Sequence, residues 1–232
     1  MRVFRVSFLV SAVALAACGG PVEPAPRRVD ATPLLAVLAA PAAPGARELR
    51  SGRLAEARGR LEATLAADPD RAAALNDLAV SYYLEARLDA ARQLLEEVIA
   101  RGGPREQQVA LVNLAEVYAQ DGYANAALAY LNSARAVDPA RPEPAYALAL
   151  LADARGDRAA TAAAMKDALR ADDGGAARRD LAFAFAEARV HLDALLAEAA
   201  GDSTVADARW RELRGGRFPL LAQAAQRHLE EP

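Results

Sequence analysis

The chain has 232 residues, a formal net charge of −3, two histidines and a single cysteine. The charge becomes −5 once Arg2 and Arg5 leave with an amino-terminal leader, so the chain lacks the basic surface that binds a nucleic-acid backbone. One cysteine excludes an internal disulfide and a multi-cysteine metal site. The abundance of Ala, Leu, Arg and Glu, with few β-branched and aromatic residues, predicts one all-α domain of about 180 residues.

The amino terminus has the anatomy of an export signal. Arg2 and Arg5 precede an apolar run over residues 6–17 that ends in Leu15-Ala16-Ala17-Cys18. A helix of this length spans about 18 Å, too short for a hydrocarbon core of about 30 Å, so we expect cleavage rather than a permanent span.

Leu15-Ala16-Ala17-Cys18 resembles the lipobox of bacterial lipoproteins. The resemblance implies a signal peptide over residues 1–17, acylation of Cys18, and a stable membrane anchor made of several acyl chains. Gly19 in place of Asp implies sorting to the outer membrane, facing the periplasm, in a Gram-negative cell. Inner-membrane retention and surface exposure stay open. The alternative is an ordinary secretory signal cleaved near Ala17, which leaves a free thiol.

Residues 18–43 are predicted to form a tether. Its prolines, with one just beyond it, are Pro21, Pro24, Pro26, Pro33, Pro41 and Pro44. This density favours extended backbone over a core element. Residues 34–40 could form a helical turn or two, or could instead dock on the folded body.

The body contains a repeat. Four series of residues advance along the chain by the same intervals of 34, 36 and 34 residues. The series are Ala57, Ala91, Ala127, Thr161; Leu61, Leu95, Leu131, Met165; Pro69, Gly103, Pro139, Asp173; and Gly52, Ala86, Gly122, Gly156.

This period and pattern resemble the tetratricopeptide repeat, a pair of antiparallel helices. The best unit carries Leu111, Leu114, Ala115 and Tyr118, then Gly122, Ala127, Leu131, Ala134 and Pro139. The resemblance implies a right-handed superhelix in which small residues let paired helices approach and large residues fill the core. The predicted array covers residues 44–173, with a partial unit at 44–70 and full units at 71–106, 107–140 and 141–173.

Residues 174–232 depart from the repeat and are expected to form a helical cap or degenerate repeats. Leu181, Phe185, Ala188, Leu192 and Leu195 share one helical face, which predicts a helix between Gly174-Gly175 and Gly201. A second helix is predicted near Thr204-x-x-Asp207 and a third after Pro219. We expect Trp210, Leu213, Phe218 and Leu221 to pack inside; alternatively, Trp210 and Phe218 form a partner-binding surface.

The sequence shows no arrangement of residues typical of an enzyme active site. His191 and His228 lie on different predicted helices without a second ligand at metal spacing, and phosphate loops and nucleophile motifs are absent. We therefore expect no catalytic residue, metal or cofactor. The contrasting hypothesis is an enzyme-associated domain in residues 174–232.

The ligand of tetratricopeptide arrays lies on the inner face, formed by exposed positions of each first helix. The corresponding positions are Asn76, Val80, Tyr83, Leu84, Val112, Asn113, Glu116, Gln120, Tyr146, Leu150 and Asp153. An amide such as Asn113 can donate to and accept from a peptide backbone. Alternatively, Tyr83, Leu84 and Leu150 pack on neighbouring helices or the tail.

The resemblance also disfavours one ligand class. Arrays that clamp a terminal carboxylate use Lys and Arg on this face, where the fourth unit has Glu143 and Ala147. The sequence thus predicts a membrane-anchored scaffold that binds a protein or peptide in envelope assembly. Its layout resembles the pilotins of type IV pili, and also adaptors for gliding motility or cell-wall hydrolases.

Overall fold

A computed structural model describes residues 30–230 of the chain. The predictions for residues 1–17 and Cys18 lie outside the described residues. The described helices are α1 (Ala46–Arg50), α2 (Leu54–Ala67), α3 (Ala72–Leu84), α4 (Leu88–Arg101), α5 (Pro104–Gln120), α6 (Ala124–Val137), α7 (Glu143–Ala154), α8 (Arg158–Ala171), α9 (Ala176–Arg179), α10 (Ala186–Ala199), α11 (Ser203–Arg214) and α12 (Pro219–Glu230).

The helices form stacked pairs, and the prediction of an all-α solenoid is confirmed. Each of α1, α3, α5 and α7 packs on the helix that follows it, and each second helix packs on the first helix of the next unit. The first helices also touch one another, α3 with α5 and α5 with α7. These first helices therefore line one face of the array, while the small and large residues of the repeat meet inside it.

The turn inside each pair explains the glycine series. Gly52, Gly122 and Gly156 have φ of 74°, 82° and 80°, and Ala86 adopts φ 60° at the equivalent place. The residue after the turn donates its N–H back to the preceding helix, as Arg87 does to the Tyr82 carbonyl at 2.8 Å. This is the Schellman ending, which needs a left-handed residue and therefore favours glycine.

Helices α10 and α11 form a fifth pair in the same register. Gly201 has φ 75°, Ala206 follows it by five residues and Trp210 by nine, as in the other units. The interval from Gly156 to Gly201 is 45 residues, so the tail carries an insertion that holds α9. The tail is thus a degenerate repeat followed by a closing helix, α12, which packs on α11 and α7.

Two details of the tail differ from prediction. Helix α10 begins at Ala186, so Leu181 and Phe185 precede it, because the backbone of Ala182 pairs with another segment. Helix α11 is capped by Asp202, whose carboxylate accepts the Val205 N–H at 3.1 Å, rather than by Thr204. The third helix does begin at Pro219, and Trp210, Leu213, Phe218 and Leu221 are buried as predicted.

The largest departure concerns residues 31–39, which we call the groove segment. The proline density predicts a tether here, yet all nine residues are buried and non-helical. From residue 35 onward the odd-numbered Leu35, Val37 and Ala39 join one hydrophobic cluster, as Leu34 does, whereas Ala36 and Leu38 join the other. This alternation is that of an extended chain. The tether prediction is therefore wrong for residues 31–39, and the alternative prediction of docking describes them.

Candidate functional site

The groove segment lies across the inner face of α3 and α5. It enters beside the turn between α5 and α6, where the N–H of Thr32 donates to the Ala119 carbonyl at 2.9 Å. Asp30 lies so close to Gly122 that a β-carbon at that glycine would clash with the Asp30 carboxylate. From this end the segment crosses α5 and then α3. The inner face therefore forms a groove that an extended segment of the same chain occupies.

Asn113 on α5 binds both polar groups of one residue of the segment. Its side-chain oxygen accepts the Val37 N–H at 2.7 Å, and its amide nitrogen donates to the Val37 carbonyl at 2.8 Å. Asn76 on α3 donates to the same carbonyl at 3.2 Å and accepts from Asn113 at 2.9 Å. The two amides fix each other and recognise backbone rather than a side chain.

Two buried carboxyl groups accept further backbone N–H groups of the segment. Leu34 donates to Glu116 at 2.6 Å, and Ala39 donates to Asp77 at 2.7 Å. Burial raises the pKa of Glu116 to about 8, against the opposing hydrogen bonds from Tyr83 and Leu34. Burial likewise raises the pKa of Asp77 to about 6. Repeat position does not reveal Asp77, because it is not among the inner-face positions that the resemblance implies.

The insertion in the tail covers the segment from its other edge. Ala36 and Ala182 exchange both backbone hydrogen bonds, at 2.8 and 2.9 Å, in an antiparallel bridge. This partner could not be found from repeat spacing, because residues 174–185 lie outside the repeat. The segment is thus bonded by three separate parts of the chain: α3, α5 and the insertion.

The predicted inner-face residues of the second and third units surround the segment. Asn76, Asn113 and Glu116 bond the segment, Tyr83 hydrogen-bonds Glu116, and Val80 and Val112 share its hydrophobic clusters. The expectation that the whole inner-face set is exposed is wrong. Only Leu84 and Gln120 are partly exposed, whereas the rest are buried.

The fourth-unit positions Tyr146 and Asp153 face the insertion and the tail, and Leu150 is buried in a hydrophobic cluster that includes tail residues. The Tyr146 hydroxyl donates to Asp172 at 3.0 Å, and Asp172 accepts the N–H groups of Ala177 and Arg178 at the start of α9. Burial and the Asp172 carboxylate raise the pKa of Tyr146 to about 12. Tyr146 therefore positions the insertion, and these fourth-unit residues pack against the tail instead of lining an open groove.

Asp153 forms hydrogen bonds with both histidines of the chain. His191 Nε2 lies 2.7 Å from one carboxylate oxygen and His228 Nε2 lies 2.8 Å from the other. His228 also bonds Glu198 through Nδ1 at 2.8 Å and stacks on Trp210, whose indole N–H donates to Glu198 at 2.6 Å. The two histidines lie on different helices as predicted, and folding brings α7, α10 and α12 together so that both contact Asp153.

This cluster borders a cavity of about 820 Å³ between α8 and the fifth pair. The hydrogen bonds and charges of Asp153 and Glu198 raise the pKa of His228 to about 9, although its partial burial opposes this. At neutral pH both of its ring nitrogens carry protons and donate to carboxylates, so His228 has no free lone pair to act as a base. The cluster therefore links α7, α10 and α12 through Asp153 and Glu198.

Metal-binding and membrane-spanning features are both absent from residues 30–230. Within that range, histidine, cysteine and carboxylate side chains do not form a group of three or more that could hold a metal ion. None of the described helices combines the length and apolar character needed to cross a membrane.

Comparison with known proteins finds a repeat family that matches part of the array. Residues 48–113 match the family model described as tetratricopeptide repeat. Among solved structures, the chain is similar to the one described as the crystal structure of MamA, at 18% identity and a TM-score of 0.44, over 80% of this chain and 96% of that chain. None of the curated proteins matches the chain in sequence.

Proposed function

We propose that this tetratricopeptide-type array is a non-catalytic protein-binding scaffold of the cell envelope, attached to a membrane by lipid on Cys18. The observation that carries the binding role is the groove, where paired amides bond the backbone of an extended peptide. Recognition of backbone tolerates varied side chains, which suits a scaffold better than an enzyme. The anchor rests on the lipobox-like Leu15-Ala16-Ala17-Cys18.

Within this function, a pilotin-like role in secretin or type IV pilus assembly ranks first. The support is the layout: an exported and lipidated amino terminus followed by a small helical array. The fifth helix pair lengthens that array beyond what the repeat series alone gave. Adaptors for gliding motility or for cell-wall hydrolases share the layout and rank second.

The anchor is tested by intact mass of the mature protein isolated from membranes. Wild type is expected to carry a lipid-sized mass increment on Cys18, and Cys18→Ser is expected to lack it and leave the membrane fraction. Equal masses without lipid in both proteins would remove the anchor from the proposal.

The binding role is tested in the same membranes with a photo-crosslinking side chain. Position 120 lies at the partly exposed end of α5 beside the groove, and position 128 is an exposed control on α6, with Leu128 42% exposed. We expect a discrete partner from position 120 and not from 128. Secretin or pilus components support the pilotin-like role, whereas hydrolases alone contradict it.

A further inference from the structure

The occupant of the groove shows what the groove accepts. The groove segment reads Ala-Thr-Pro-Leu-Leu-Ala-Val-Leu-Ala, without a charged side chain. From Leu35 to Ala39 its side chains alternate between the two hydrophobic clusters. The N–H groups of Leu34, Val37 and Ala39 are accepted by side chains of α3 and α5. A second peptide with this pattern of extended aliphatic residues would satisfy the same groups.

We propose that the groove binds an extended, uncharged aliphatic peptide of a partner protein, and that residues 31–39 are an internal competitor that this partner displaces. The proposal rests on the scaffold function above and names the class of its partner. A peptide with proline at the places of Leu34, Val37 or Ala39 is excluded, because each of those N–H groups has a buried acceptor.

The packing of the array favours displacement over a permanent strut. Helix α5 contacts both α3 and α7 directly, and every unit packs on the next through its second helix. These contacts do not pass through the groove segment. Residues 41–45, which join the segment to α1, form a turn in which Ala42 and Pro44 are exposed. The segment can therefore leave while both neighbouring parts of the array keep their contacts.

The groove is also lined in a way that suits exchange. Asp77 and Glu116 are carboxyl groups buried beneath the segment, with their pKa values raised by that burial. Burial opposes the ionisation of these carboxyl groups. Groups with pKa values shifted in this way occur more often at binding sites than in a core that stays closed. Departure of the segment would return both groups to water.

The test cuts the chain between segment and array without removing either. A protease site is inserted between Ala42 and Ala43 of the purified Cys18→Ser protein, and a fluorescent peptide of residues 30–41 is the probe. We expect the probe to bind the cut protein at least tenfold more tightly than the uncut protein. The cut removes the high effective concentration of the tethered segment, which is on the order of millimolar.

Backbone esters in the probe show whether binding uses the groove. An ester in place of the Val37 amide removes the N–H that Asn113 accepts, and we expect about tenfold weaker binding. The matched control is an ester at Leu35, whose N–H makes no hydrogen bond within the described residues. Equal weakening by both esters would overturn groove recognition.

Two other results overturn the proposal. The cut protein could keep its segment without exchanging the probe, or it could lose its helical circular dichroism after cutting; either makes the segment part of the core. Neither result depends on lipid. Loss of the Cys18 anchor would leave probe exchange unchanged, and a partner crosslinked at position 120 without probe exchange would retain the scaffold function while removing the competitor.

Discussion

Glu116 is a carboxyl group in a buried environment that disfavours its charged form. It lies at 1% exposure beneath Leu34, with its pKa raised to about 8. Between pH 4.5, the ordinary pKa of a glutamate in water, and pH 8 the folded chain keeps a proton that the unfolded chain has lost. The free energy of unfolding must therefore fall as pH rises through this window. Asp77 adds a change of the same sign below about pH 6.

Glu116→Gln is expected to remove most of this pH dependence. Glutamine reproduces the neutral acid, with an oxygen that accepts the Leu34 N–H and an N–H that donates towards Tyr83. At pH 9 we expect the variant to be more stable than wild type by about 5 kcal/mol, and at pH 4.5 to be nearly equal. Urea denaturation across this pH range measures both.

The control for Glu116→Gln is Glu97→Gln on α4, a partly exposed carboxylate in an i,i+4 ion pair with Arg101. Its stability curve is expected to run parallel to that of wild type within a few tenths of a kcal/mol. Parallel curves for Glu116→Gln as well would mean that Glu116 ionises in the folded protein much as it does in water.

Ala86 occupies a position where the other units have glycine. Its φ of 60° brings the β-carbon close to the following carbonyl, a strain that glycine avoids. We expect Ala86→Gly to stabilise the protein by about 1 kcal/mol, as measured by urea denaturation. The reverse change, Gly201→Ala, is the control: the β-carbon meets nothing within 4 Å, so the expected loss of about 1 kcal/mol reports backbone strain alone. A loss of stability in Ala86→Gly would contradict this account.

At the scale of elements, α12 is held to the array by charge as well as by apolar packing. His228 joins α12 to Asp153 on α7 and to Glu198 on α10, and Arg227 donates to the Asp153 carbonyl at 2.8 Å. Because its pKa is raised from 6.5 to about 9, His228 adds stability that is complete below pH 6.5 and is lost as pH rises through 9.

His228→Gln is therefore expected to destabilise the protein by about 2 kcal/mol at pH 6, and by much less at pH 10. Thermal or urea denaturation at the two pH values measures the difference. Gln223→Ala, an exposed change on the same helix, is the control and should be nearly neutral at both. An effect of equal size at pH 6 and pH 10 would show that packing, rather than the ion pairs, holds α12.

Some elements could be predicted from the sequence and others could not. Helix pairs have local signals: small and large residues at fixed spacing, and glycine where φ is positive. The groove segment has no such spacing signal, since its partners Asn113 and Glu116 lie 76 and 82 residues from Val37 and Leu34. A signal was present in its composition, because Leu34, Leu35, Val37 and Leu38 are too apolar for a solvated tether.

The candidate site could be predicted in part for the same reason. Repeat position gave Asn76, Asn113 and Glu116, which do bond a peptide backbone. It could not show that the peptide belongs to the same chain. Nor could it show the meeting of His191 and His228 on Asp153, which depends on how far the insertion displaces the fifth pair.

At the scale of the whole molecule, the groove segment sets the length of any membrane attachment. If the body began at residue 44, the chain from Cys18 could extend about 90 Å; with residues 31–39 bound in the groove, only the stretch from Cys18 to Asp30 is left, which spans at most about 43 Å. A lipid on Cys18 would therefore hold the array close to the bilayer, with the turn between α5 and α6 nearest the anchor.

A lipid anchor on Cys18 would also make the groove segment the first part of the array to bear a pulling force. Tension from such an anchor would arrive at Asp30 and load the bonds in chain order: Thr32 to Ala119, Leu34 to Glu116, Ala36 to Ala182, then Val37 to Asn113. Bonds broken one at a time resist far less than bonds sheared together. Mechanical load between membrane and body would thus peel the segment out of the groove and open it.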